Sequence, residues 1–172
     1  MGNPSFLRLI ADVEGGLILS SAFRSYAEGV DVAAIITAHA SCERDLMVRA
    51  AHWQSRGESG PQDFNRWGLG RLIGFYRSAL PEDLITALEQ LNDRRKTLYH
   101  YGYSESVTGI IALTYAYIAK RTQTALYAAY QELHAQAPDP KELLAFAEDE
   151  MLRDFALESL RAASRVREWA NA

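Results

Sequence analysis

Along the whole chain apolar residues return at intervals of three and four, and no segment sustains the alternation of a half-buried strand, so the elements available to it are helices. Phe6, Leu9, Ile10, Val13 and Leu17 mark a first helix over about residues 5 to 28, with Gly15 and Gly16 as weak points and Gly29 suited to end it. Asp31 offers an N-cap for a second helix reaching about Gln54, and Arg56 to Asp63, with Gly57, Gly60 and Pro61, reads as a loop. A third helix is predicted over Asn65 to Ala79, where Gly68, Gly70 and Gly74 weaken the helix but permit close packing. Pro81 fits the first turn of a fourth helix, Glu82 and Asp83 complement its positive end, and Gly102 is placed to stop it. Ser104 or Ser106 caps a fifth helix running to about His134. Asp139-Pro140-Lys141-Glu142 combines an N-cap, a first-position proline and a capping-box acid, opening a sixth helix that reaches Trp169. The fold expected is all-α, an up-and-down bundle of about five to six helices in one domain over residues 1 to 172.

A chain of 172 residues buries roughly 70% of its unfolded surface without a disulfide or metal staple. The single cysteine, Cys42, excludes an internal disulfide and a cysteine-based zinc cluster. No run approaches the roughly 20 apolar residues of a membrane span, and Met1-Gly2-Asn3-Pro4 lacks a basic stretch followed by an apolar core; a cytoplasmic protein with no membrane partner is expected. A net charge of -4 argues against broad nonspecific binding to nucleic acid, which needs many phosphates neutralised at once. Any RNA contact must then be local, at Arg94, Arg95 and Lys96 joined by Arg66, Arg71 or Arg77.

Two places break the apolar pattern. On the fourth helix Leu84, Leu88, Leu91, Arg95 and Leu98 share a stripe, which puts Arg95 on the face that should pack inward. A buried guanidinium needs a carboxylate, a dimer partner or a bound phosphate. On the second helix Val32, Ile36, His39, Glu43, Leu46 and Ala50 share a stripe, placing His39 and Glu43 one turn apart. If helices two and four face each other, Glu43 is the carboxylate for Arg95, with His39 beside it. The same His39 and Glu43 offer two metal ligands without a third, so no metal and no cofactor are expected.

The end of the fourth helix sets a fixed cation and a titratable proton carrier a few residues apart. Arginine grips phosphate with two parallel hydrogen bonds, and histidine, with an unperturbed pKa of roughly 6.5, exchanges a proton near neutrality. In a straight helix His100 lies about 140° round from Arg95, so the two converge only if the helix frays at Tyr101-Gly102 or a second copy is brought against the first. Read without that convergence, Arg95 belongs to an internal ion pair and His100 is a cation at the negative end of a helix.

Arg95, four residues and His100, with Leu91-Asn92 before and Tyr101-Gly102 after, resembles the arginine-x(4 to 6)-histidine signature of the HEPN superfamily, the higher eukaryotes and prokaryotes nucleotide-binding domain. Arg94 fits the signature equally, with five residues between. Many members carry a small polar residue after the arginine, a place taken here by Lys96 or, if Arg94 is the signature residue, by Arg95. The resemblance covers about residues 30 to 135. It implies a helical bundle that forms a homodimer, and a metal-independent endoribonuclease, in some branches a toxin or defence effector with an antitoxin partner. Arg95, His100 and Arg94 are the catalytic candidates it implies. Glu43, His39, Lys96, Tyr99, Tyr101 and Tyr103 are supporting or RNA-binding candidates, the tyrosines as surfaces on which bases stack. In a toxin branch a tyrosine two residues after the histidine accepts AMP; that position is Gly102 here. The alternative is a non-catalytic module of the same type that holds RNA, a nucleotide or a protein partner.

Overall fold

The computed structural model describes residues 4–55, 63–99, 112–119, 123–134 and 139–172, and every regular element among them is a helix. In order these are α1 (Pro4–Ala27), α2 (Asp31–Ser55), a 3₁₀ turn (Phe64–Arg66), α3 (Leu69–Tyr76), α4 (Glu82–Tyr99), α5 (112–119), α6 (Gln123–His134) and α7 (Pro140–Asn171). Among the described residues no helix is long and apolar enough to cross a membrane. Two compact units divide the chain: Met1–Arg95 with Ala156–Ala172, and Lys96–Phe155. The division falls inside α4 and inside α7.

The first unit is organised around α2. Ala34, Ile35, Ala38, Cys42, Leu46 and Ala50 are all fully buried, so the inward face of α2 is centred beside the stripe expected from sequence, with His39 and Glu43 on its flank. Most of those buried side chains are small, and small side chains let neighbouring helices approach on more than one side. Hydrophobicity alone therefore selects the face poorly. Leu69, Leu72, Ile73 and Tyr76 of α3, Leu84, Leu88 and Leu91 of α4, and Leu160, Ala163 and Val166 of α7 complete the core. The Tyr76 hydroxyl donates to the Leu46 carbonyl (3.1 Å) and its ring meets Trp169 edge-on. Arg49 lies over the Trp169 ring and donates to the carbonyl of Ala170 (3.1 Å), fixing the end of α7 against α2.

Local capping rules account for several boundaries. Gly29 adopts φ +75°, and the pair Gly29 N–H to Tyr26 carbonyl (3.1 Å) and Val30 N–H to Ser25 carbonyl (2.8 Å) closes α1 in a Schellman motif. Asp31 is the first helical residue of α2 rather than its cap, since the Val30 carbonyl already accepts from Ala34. Pro81 stands just before α4, its carbonyl accepting from Leu84 and Ile85, with Glu82 and Asp83 in the first turn. The third helix departs from expectation: Trp67 and Gly68 are extended, so the segment becomes a 3₁₀ turn, a break and the short α3. Of the glycines there, Gly70 lies against Asn92, whereas nothing approaches the position a side chain would take on Gly74. The expected loop over 56 to 62 and the stop at Gly102 lie outside the described residues.

In the second unit the capping box at α7 is complete. Asp139 Oδ1 accepts from the N–H groups of Lys141 (2.7 Å) and Glu142 (2.8 Å), and Glu142 Oε2 accepts from Asp139 N–H (3.3 Å). The same Glu142 oxygen accepts from the Tyr130 hydroxyl at 2.9 Å, tying α6 to the start of α7, and Phe146 packs edge-on against the Tyr130 ring. Thr114, Leu126, Tyr130, Ala147 and Met151 are buried. The Tyr117 hydroxyl donates to Asp154 at 2.7 Å, while Tyr115 is largely exposed.

Burial pushes the Cys42 thiol and the Tyr76 phenol above their ordinary values of 9.0 and 10.0. Asp45 and Glu43 reinforce the shift at Cys42, and Arg49 opposes it at Tyr76 without overcoming burial. The folded state thus favours both neutral forms. Their contribution is intact below the ordinary values and is lost as pH climbs past them towards the raised ones. The urea midpoint is expected to fall above about pH 9, and Tyr76→Phe to flatten part of that fall. An unchanged alkaline limb in Tyr76→Phe would show that the phenol is not involved.

Candidate functional site

The apolar stripe of α4 is as expected from sequence: Leu84, Leu88, Leu91 and Leu98 are buried, and Arg95 between the last two is half-buried. Arg94 points to the neighbouring face, with its side chain 15% exposed and its Nη2 2.6 Å from Glu158 Oε2 of α7. Lys96 is exposed in the last turn, where a cation meets the negative end of the helix. Tyr99 closes α4. His100, Tyr101 and Tyr103 lie outside the described residues, so the position of the imidazole relative to either arginine does too.

Arg94 lines an open groove of about 190 Å³ between α4 and α7. Ala87, Gln90 and Arg94 form one wall, successive turns of α4; Glu158, Arg161 and Arg165, similarly spaced, form the other. Arg165 donates to Asp83 at 2.8 Å. Arg161 is exposed and has no hydrogen-bond or ion-pair partner among the described residues. Three guanidiniums thus face one groove, against one lining carboxylate and a second, Asp83, whose side chain is 72% exposed.

Glu43 and His39 sit elsewhere in this unit. His39 is buried, with Nδ1 3.8 Å from Glu43 Oε2 and Nε2 in a long 3.4 Å contact with Asn92 Oδ1, so α2 and α4 do meet here. The Glu43 carboxylate does not serve Arg95. Its Oε1 accepts from the Leu69 N–H at 2.8 Å, the first residue of α3. The preceding residue, Gly68, has no side chain with which to cap that helix, so a carboxylate from α2 takes over the role. Among the described residues no group of three or more histidine, cysteine, aspartate or glutamate side chains is placed to hold a metal ion, and the His39 and Glu43 pair meets an amide and a backbone N–H.

Glu43→Ala is expected to destabilise the first unit by about 1–2 kcal/mol, the cost of a helix N-terminus left without its acceptor. Glu43→Gln, which keeps an acceptor oxygen, should lose less. Equal losses in urea denaturation of the two variants would refute the capping role.

Comparison with family models, with curated proteins and with solved structures returned no match for this chain.

Sequence reasoning passed over Glu158, Arg161 and Arg165. They lie more than 60 residues beyond Arg94 in an ordinary amphipathic helix. The readable signal was a line of charge at spacings of three and four along α7. Nothing local says which helix that line faces. Trp67 packs edge-on against Phe75 and under the Arg71 guanidinium at 4.1 Å, which holds Arg71 against the start of its own helix. Arg77 is likewise engaged, in an ion pair with Glu89. Of the cations proposed to join Arg94, Arg71 and Arg77 do not line its groove. The Cys42 thiol, buried and pushed up in pKa, is not poised as a nucleophile.

Proposed function

We propose that this protein is a metal-independent endoribonuclease of HEPN type, acting as a homodimer in which arginine and histidine from two copies line one cleft. What carries the reading is the cation at the end of α4: Arg94, beside the half-buried Arg95 and a few residues before His100, opens onto a groove rich in guanidinium. An acidic chain that concentrates positive charge at one place suits local recognition of phosphate. In the reaction His100 acts as the proton carrier. The 2′-hydroxyl loses its proton and attacks the adjacent phosphorus, the bond from phosphorus to the 5′-oxygen breaks, and that oxygen is protonated as it leaves. Arg94 or Arg95 stabilises the charge gathered on the phosphate oxygens. The products carry a 2′,3′-cyclic phosphate and a 5′-hydroxyl. A cytoplasmic toxin or defence effector held by an antitoxin is the setting in which such an activity fits.

The test is incubation of end-labelled RNA with the purified protein in EDTA. Fragments ending in a 2′,3′-cyclic phosphate are expected; intact RNA at high protein concentration would remove the catalytic reading. The overall acidic balance favours a second reading, a non-catalytic HEPN-like module that binds RNA, a nucleotide or a protein partner. Saturable binding without turnover in the same samples would select it.

A further inference from the structure

We infer that the groove between α4 and α7 is a track for the RNA backbone, with Arg161 and Arg165 as phosphate-binding residues and Glu158 as the group a phosphate displaces from Arg94. The inference rests on the reading of RNA as the ligand and adds two arginines that the signature does not contain.

Size decides between a whole small molecule and part of a chain. Pockets that enclose a complete small ligand run from roughly 300 to 1,000 Å³. At about 190 Å³ and open to solvent, this groove takes a phosphate and its immediate neighbours, not an entire nucleotide.

The charges are arranged to hand over. Arg94 and Glu158 form an ion pair in which the arginine side chain is 15% exposed and the carboxylate 53%, while Arg165 and Asp83 are 42% and 72% exposed. A pair as exposed as Arg165 and Asp83 contributes of order 1 kcal/mol or less to stability, so giving it up costs little, and the exposed carboxylate of Glu158 can turn to water when a phosphate takes its place on Arg94. A phosphate diester offers a guanidinium two oxygens at once, and arginine's planar fork matches that geometry. Arg161, one turn from both Glu158 and Arg165 on the same face, needs to give up no partner among the described residues. Gln90 on the facing wall supplies neutral donors and acceptors for sugar or phosphate oxygens.

The test uses the full chain and a fluorescein-labelled 2′-O-methyl oligoribonucleotide of mixed sequence, which lacks the attacking hydroxyl and so reads binding without turnover. The combined Arg161→Ala and Arg165→Ala variant should bind at least tenfold more weakly by anisotropy. Its plot of log affinity against log salt should be shallower by roughly 0.7 for each phosphate no longer neutralised by an arginine. Glu158→Gln should move the other way, binding several-fold more tightly, which a merely structural role for these residues would not produce. Unlabelled oligonucleotide should compete, and AMP at the same nucleotide concentration should not. Unchanged affinity and slope in the double arginine variant, no measurable binding by the wild type, or equal competition by AMP would each overturn the inference. Cleavage is scored separately: a wild type that cleaves, alongside a double variant that binds and cleaves equally well, removes the groove and leaves the ribonuclease. Loss of binding in the variant of a protein that never cleaves does the reverse.

Discussion

On the proposed ribonuclease reading, His100→Ala is expected to lower RNA cleavage by roughly 10²- to 10⁴-fold, the usual loss when a general acid or base is removed. The arginines separate by the same assay. Removing the cation that stabilises charge on the reacting phosphate costs on the order of 10²- to 10³-fold in rate, so whichever of Arg94→Ala and Arg95→Ala falls by that amount is the signature residue. Arg94→Lys is the informative companion. Lysine keeps the charge but not the two-pronged grip, so partial recovery would mean that charge dominates, and none that geometry does. Arg94→Ala also breaks the pair with Glu158 and removes a side chain that is only 15% exposed, so its stability is measured beside its rate. Far-ultraviolet circular dichroism and a melting curve for each variant keep folding and catalysis apart. Wild-type cleavage rates in His100→Ala and in both arginine variants would trace the activity to a contaminant.

Arg167→Ala should destabilise the first unit by about 3 kcal/mol. Arg167 Nη1 lies 3.0 Å from Asp45 Oδ1, and the Asp45 side chain is only 6% exposed, so deleting the arginine strands a carboxylate in the interior. Gly15 of α1 packs directly on this pair. A Cβ built on Gly15 would overlap Asp45 Oδ1 and stand 2.6 Å from Arg167 Nη1. Gly15→Ala therefore has to displace the ends of both side chains, which offsets the roughly 1 kcal/mol that alanine gains over glycine within a helix. Combining Arg167→Ala with Asp45→Asn should cost less than the sum of the single changes, because the second removes the stranded charge. Urea denaturation read by circular dichroism gives all four values. A shift below about 0.5 kcal/mol for Arg167→Ala would show that water reaches Asp45 and that the pair behaves like one at the surface.

The same residues show how far local rules carry. Gly29 and the run Asp139-Pro140-Lys141-Glu142 were legible because their hydrogen bonds close within a few residues of chain. The stripe of Leu84, Leu88, Leu91 and Leu98 was legible because one helical period specifies one face. The start of α3 was not, since its acceptor comes from Glu43, 26 residues away, and Gly68 leaves no trace of a cap in the sequence around it. For the same reason Glu43, chosen by its stripe as the partner of Arg95, turned out to hold Leu69 and His39. Gly15 read as a local weakness in a helix, whereas its reason is the buried pair packed against it.

For this chain, then, the sequence determined that the elements are helices, where α1 ends and α7 begins, and which leucines of α4 turn inward. All of these follow from interactions that reach no further than about four residues. Tertiary structure decided which charges meet: Asp45 with Arg167 beneath Gly15, Glu43 with the start of α3, and Arg94 with the arginines of α7. An ion pair or a borrowed cap depends on the distance between side chains in space. Helical period places a residue on a face, but only the packing of one face against another determines its partner.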